Sequence, residues 1–193
     1  PSVASVYGRQ LRLSGAACVG ISQSGKSPDI VAMMQAARAG GALTLAFTNQ
    51  LDSPMAGAVA HPIGLAAGPE KSVAATKTYT TQLCALAMLS AALEGGEARW
   101  AELLAVPGLV DQAIAANAGV DGKVDRYRYA DHFAVVGRGF NYSTAFEVAL
   151  KMKETSYLVA EPYSPADLLH GPVAMIERGF PALVIAPSGR VLA

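Results

Sequence analysis

The sequence has no excess of charge of either sign. Fifteen basic and fifteen acidic side chains cancel over 193 residues, so neither nucleic acid nor a membrane surface would be gathered electrostatically. Thiol and imidazole are scarce as well. The two cysteines, Cys18 and Cys84, lack the spacing of a metal centre, and three histidines are scattered along the chain; no metal and no cofactor is expected. Free, buried thiols in a reducing compartment are the expected state, and with no targeting segment in view the expected location is the cytoplasm. Long apolar runs are missing too. The longest candidate, Leu83 to Leu93, is interrupted by Ser90 and is too short to span a bilayer, so no membrane partner is expected. What is present is small and apolar: 52% of residues are hydrophobic, many of them alanine, which suits closely packed helices. The length allows one or two small domains with a real core.

Strand and helix patterns alternate. Ala16 to Ile21 reads as a buried strand, Asp29 to Ala39 as a helix stopped by Gly40-Gly41, and Ala42 to Phe47 as the next strand. A crossover of this length makes the two strands parallel and places the turn after the first at the carboxyl edge, where open α/β sheets bind ligands. Asp52-Ser53-Pro54 starts a short helix, Val59 to Ile63 reads as a strand, and Gly68-Pro69-Glu70 is a turn. Ser72 to Leu93 then predicts a long, largely buried helix ended by Gly95-Gly96. Glu97 to Ala118 is a more polar helical stretch, a candidate bridge. A second strand and helix follow at His132 to Val136 and Thr144 to Tyr157. Tyr163 to Gly171 is a loop or short helical turn, Pro172 opens a brief helix, and Pro181 to Ala186 is a strand. The expected fold class is therefore α/β, a parallel sheet in each of two units. The expected boundaries are 1–96, a helical bridge over 97–125, and 126–193.

The turn of the first unit, Ser22-Gln23-Ser24-Gly25-Lys26-Ser27-Pro28, carries the strongest chemical signal. Ser27 suits the N-cap and Pro28 the first helical position. An ordinary capped turn would have this much. Three hydroxyls and an amide in six residues exceed what capping needs; with the helix N-terminus they form a cradle for a phosphate-sized anion. Gly20 to Ser27 also satisfies the P-loop expression G-x-x-x-x-G-K-[ST]. That reading needs a companion strand ending in Asp to hold magnesium, whereas the later apolar runs end in Thr48-Asn49, Gly137-Arg138 and Pro187-Ser188.

In the second unit Glu147, Lys151 and Glu154 fall on one helix face at i, i+4 and i+7. Intrahelical ion pairing explains that spacing. Their apolar neighbours, Phe146, Val148, Leu150 and Met152, also suit a partly desolvated carboxylate, and Glu154, nearest the polar loop beyond, is the best general-base candidate. His61 and His132, beside strands, read as structural. His170 stands in a loop beside Gly171, open to a ligand and able to move protons near neutrality, or it too is structural. Glu70 and Thr76 contact ligand hydroxyls or cap the following helix.

Together, Ile21 to Gly25, Gly68-Pro69-Glu70 with Val73 to Lys77, Gly137-Arg138-Gly139, Glu147 through Glu154 and His170-Gly171-Pro172 resemble the sugar isomerase (SIS) domain family. Within it the resemblance is strongest to the two-SIS isomerase module of glucosamine-6-phosphate synthases and to SIS-type glucosamine-6-phosphate deaminases, over about residues 16 to 187. The resemblance implies two SIS-type units, three-layered with helices on both faces of mostly parallel sheets, each incomplete in this chain. It implies that Ser22, Gln23, Ser24 and Ser27 hold a sugar phosphate and that Val73 lines the sugar. It further implies that Glu154 moves a proton between C1 and C2, that Lys151 assists near the reacting oxygens, and that His170 opens the ring, often from the neighbouring subunit of a homodimer. The implied activity is aldose–ketose isomerisation or deamination of a hexosamine or hexose 6-phosphate; the alternative is a sugar-phosphate-binding regulatory domain. Lys26 stands where relatives commonly carry Glu, and Ala75 replaces a frequent serine. The first strand of the first half and the C-terminal tail of the synthases lie outside the sequence, as does any glutaminase domain.

Overall fold

The computed structural model describes residues 6–189, in two compact units, Pro1–Val110 and Asp111–Ala193. The first unit opens with β1 (Ala17–Ile21), α1 (Pro28–Ala39) and β2 (Leu43–Thr48), followed by α2 (Pro54–Ala58) and β3 (His61–Gly64). The strands pair in the order β1-β2-β3, all parallel, with Val19 opposite Leu45 and Phe47 opposite Ile63. Side-chain alternation sends Cys18, Thr44 and Ala46 to one face. There α1 and α2 supply Met34, Met55 and Ala58 to a shared core. Met34 and Met55 are fully buried, and burial of side chains this size stabilises by about 1.5–3 kcal/mol each. A Cβ on Gly20 would meet Met34 Sδ at 2.9 Å, so glycine is what lets α1 lie this close to β1.

Two long helices complete the first unit's sequence, α3 (Lys77–Glu94) and α4 (Glu97–Ala116), and the division between units falls inside α4. The expected helix from Ser72 begins five residues later, and it is not largely buried: only Thr78 and Ala91 are fully enclosed, and Val73 lies in the exposed segment before it. Cys84, expected buried, is exposed on α3, and Cys18 is half-buried; both are free thiols. Pro107 sits inside α4. No single helix among the described residues is long and apolar enough to cross a membrane; α4 with the short helical segment Asp121–Tyr127 passes on length and composition only as a pair bent by 57°.

After a helical turn, α5 (Asp121–Val124), the second unit runs β4 (His132–Gly137), α6 (Phe140–Ser156), β5 (Val159–Tyr163), α7 (Pro165–Leu169) and β6 (Ala182–Ile185). Its sheet is also all parallel, in the order β5-β4-β6. Phe133 and Val135 of β4 and Ala160 of β5 pack under Ala145 and Ala149 of α6. The small alanines let the helix approach the sheet closely. Here α6 starts four residues earlier than its apolar pattern suggests, at the Gly139-Phe140 junction. β5 has no counterpart in the sequence reading. Its segment, Val159-Ala160-Glu161-Pro162-Tyr163, contains a charge and a proline, which break the strand pattern; β5 is an edge strand, where a proline is tolerated.

Candidate functional site

The turn between β1 and α1 is built by its own hydroxyls. Ser22 Oγ accepts the Gly25 amide at 3.1 Å and Ser24 Oγ accepts the Lys26 amide at 3.4 Å. Each hydroxyl oxygen that accepts in this way still carries its own hydrogen for donation to an anion. Two amides of the turn are thus engaged by its own serines. Ser27 occupies the N-cap in an extended conformation, but its side chain makes no capping bond, and Pro28 fills the first position. The first bond of the helical ladder runs from the Val31 amide to Ser27 O at 3.0 Å, so the amides of Asp29 and Ile30 precede the ladder at the positive end of a twelve-residue helix. Ser22, Gln23 and Ser24 are half-buried and Ser27 is exposed.

Beneath the turn lies a polar layer that sequence reasoning missed. Gly25 is buried with φ +61°, and a Cβ there would run into Ser53 Oγ. Ser53 caps α2 by accepting the Ala56 amide at 3.3 Å, while the Met55 amide donates to Gly25 O at 3.0 Å. The Gln23 carbonyl receives two donors from the end of β2, Thr48 Oγ1 at 3.2 Å and the Asn49 amide at 3.0 Å. A Thr-Asn pair at the carboxyl end of the strand beside the turn is the signal that would have found this layer. Beside it a cleft of ≈ 610 Å³ is lined by Asn49, Gln50, Leu51, Gly64, Ala66, Gly68 and Pro69.

The loop beyond β3 is tied to α3. The Glu70 carboxylate accepts Thr78 Oγ1 at 3.1 Å and the Thr78 amide at 3.3 Å, and Lys77 Nζ donates to Pro69 O at 2.6 Å. Partial desolvation pushes the Glu70 carboxyl up, but the amide and hydroxyl of Thr78, with the amides of Ser72 and Thr76, outweigh it and hold the group below its ordinary value. Of the two sequence readings of Glu70, this geometry is that of a cap. Thr76, at the N-cap of α3, makes no side-chain capping bond.

In the second unit Lys151 stands between two carboxylates on α6. Its Nζ lies 2.6 Å from Glu154 Oε2 and 3.4 Å from Glu147 Oε1, and the three side chains retain between 21% and 35% of their exposure. The hydrogen bond that Lys151 donates to Glu154 raises the Lys151 pKa above its ordinary value; desolvation opposes this, and the charge of Glu147 adds to it. Lys151 is thus a fixed cation. Glu154 sits in the last turn of α6, which ends in Tyr157, a left-handed C-cap at φ +57°. His170 lies at the end of α7, exposed, with Nδ1 2.7 Å from Ala166 O. That contact engages one ring nitrogen with a carbonyl.

Among the described residues, no group of His, Cys, Asp or Glu could hold a metal ion. The first unit therefore offers hydroxyl and amide donors at a helix N-terminus. The second offers a carboxylate beside a fixed cation, and an imidazole.

The SIS domain family model matches residues 12–92 and 127–192. A glutamine–fructose-6-phosphate aminotransferase of Aquifex aeolicus is 39% identical over 174 residues, 90% of this chain and 29% of its own length. The chain thus spans about a third or less of the curated relatives it matches. Among solved structures, a phosphosugar-isomerase-type protein of Silicibacter pomeroyi is 46% identical with a TM-score of 0.84, covering 100% of this chain and 58% of that one. The C-terminal domain of a glucosamine-fructose-6-phosphate aminotransferase from Francisella tularensis is 29% identical with a TM-score of 0.89, covering 98% and 56%.

Proposed function

The chain belongs to the SIS domain family, and from that premise we propose that it is a phosphosugar enzyme, an aldose–ketose isomerase or deaminase acting on fructose 6-phosphate or glucosamine 6-phosphate. The observation that carries the reading is the 2.6 Å contact between Lys151 Nζ and Glu154 Oε2: it sets beside the candidate base a cation able to stabilise negative charge developing on the reacting oxygens, which binding alone would not use.

Ser22, Gln23, Ser24 and Ser27 hold the phosphate dianion through hydroxyl and amide donors at the α1 N-terminus, and Val73 lines the sugar. His170 donates a proton to the ring oxygen and accepts one from the anomeric hydroxyl, giving the open chain; in a homodimer it serves the neighbouring subunit's substrate. The Glu154 carboxylate then removes a proton from C1 of the ketose. The C1–H electron pair becomes the C1=C2 bond, and the carbonyl oxygen at C2 takes up a proton to give the enediol. Return of the proton from Glu154 to C2, with loss of the O1 hydrogen, gives the aldose. Lys151, held charged, stabilises negative charge developing on the oxygens. With an amino group at C2 the same carboxylate forms an enolamine, which tautomerises to an imine, and hydrolysis of the imine releases ammonia.

The test is direct. The complete protein is incubated with glucosamine 6-phosphate and assayed for ammonia and fructose 6-phosphate, and separately with fructose 6-phosphate and assayed for an aldose. Turnover in either assay is expected. Tight binding of both sugars without turnover would overturn the enzyme reading in favour of a sugar-phosphate sensor.

A further inference from the structure

We propose that Asn49 is a positioning residue which fixes the sugar-lining side of the site relative to the phosphate turn, so that it governs affinity for the sugar and not for the phosphate. The inference rests on the phosphosugar reading above. Asn49 follows the last residue of β2 and reaches two loops at once. Its backbone amide donates to Gln23 O at 3.0 Å, inside the phosphate turn. Its side chain turns the other way: Nδ2 donates to Gly68 O at 2.7 Å and Oδ1 accepts the Ala67 amide at 3.1 Å. Both ends of one amide are thus engaged by adjacent residues of the loop that leads to Glu70 and Val73.

That loop needs holding. Ala66 has φ +53°, a left-handed conformation that costs a residue with a Cβ about 1–2 kcal/mol. The two Asn49 bonds fall on the residues immediately after it. On its far side the loop is fastened to α3 through Lys77 Nζ on Pro69 O and through Glu70 on Thr78. On its near side the Leu65 amide donates to Thr48 O at 3.0 Å, and Asn49 supplies the contacts at 67 and 68. Thr48 is fully buried, and its hydroxyl both donates to Gln23 O and accepts the Gln50 amide. The backbone at residues 48 and 49 is therefore rigid, and the Asn49 side chain projects from a fixed base. Asn49 also walls the ≈ 610 Å³ cleft together with Ala66, Gly68 and Pro69.

Removing the side chain would leave the backbone bond to Gln23 in place and release only the loop. The complete protein and its Asn49→Ala and Asn49→Ser variants are compared in binding fructose 6-phosphate and inorganic phosphate, with hydrogen exchange read at the Ala67 and Asn49 amides. For Asn49→Ala, fructose 6-phosphate affinity is expected to fall about tenfold while inorganic phosphate affinity changes less than about twofold. Exchange should speed at the Ala67 amide and stay slow at the Asn49 amide. Asn49→Ser, whose hydroxyl can still meet one loop partner, should lie between wild type and Asn49→Ala, and it supplies the comparison if the alanine variant does not fold. Parallel loss of both affinities, or loss of neither, would overturn the inference and leave the phosphosugar reading intact. A wild-type protein that binds neither ligand would overturn both.

Discussion

The two units hold their candidate chemistry in opposite ways. In the first, the groups that would meet a ligand are part of the fold: the serine hydroxyls accept the turn's own amides, Gly25 is buried against Ser53, and Gln23 is clamped by Thr48 and Asn49. In the second, Glu147, Lys151 and Glu154 stand on the outer face of a helix whose core contacts are made by Ala145 and Ala149. Binding and stability should therefore be inseparable in the first unit, while chemistry and stability should separate in the second.

The largest effect tests the second half of that contrast. Glu154→Gln keeps an oxygen for Lys151 but loses the basic carboxylate, so kcat on the proposed substrate should fall by about 10²–10⁴-fold with KM little changed. The ion pair it weakens is partly exposed, worth about 0.5 kcal/mol, so the melting temperature should hardly move. A Glu154→Gln protein that melts well below wild type would show that the triad is a structural brace, and the contrast would collapse.

Gly25→Ala tests the first half. The substitution forces a side chain into a left-handed conformation and against Ser53, together costing about 2–5 kcal/mol. Thermal melting should drop by on the order of 10 °C, and phosphate affinity should fall with it because the Ser22 contact closes on the Gly25 amide. A variant that loses stability yet binds phosphate normally would show that the turn's fold and its ligand contacts are independent.

The same asymmetry explains what could be read in advance. The serine turn, Pro28 and the Glu147–Lys151–Glu154 spacing were legible because each is a local pattern with a local physical cause: an N-cap, a fixed φ, a helical repeat. The clamp on Gln23 was not, since Thr48 and Asn49 lie 25 and 26 residues away and become partners only when β1 and β2 pair in register. β5 stayed hidden for a related reason. Its Glu161 and Pro162 are acceptable only at a sheet edge, and no local pattern says that a segment will be an edge. The burial expected of α3 failed because an apolar repeat reports a face that could be covered; it does not supply the surface that covers it.

The smallest effect concerns the loop before α3 in the first unit, where a charged side chain accepts a backbone amide of the helix. Glu70 holds the start of α3 through Thr78, and its pKa is lowered from the ordinary 4.5. A depressed carboxyl binds its proton less readily in the folded state than in the unfolded one. Its contribution to stability is therefore complete above about 4.5 and disappears as pH falls through the lower folded value. Glu70→Gln should melt slightly below wild type at neutral pH, and the gap between the two proteins should close as the solution is acidified below that range. A gap that stays constant from neutrality into acid would mean that the Thr78 contacts are made equally well by a neutral side chain. The anchoring of this loop would then be a matter of shape and hydrogen-bond count, as it is at Asn49, and not of charge.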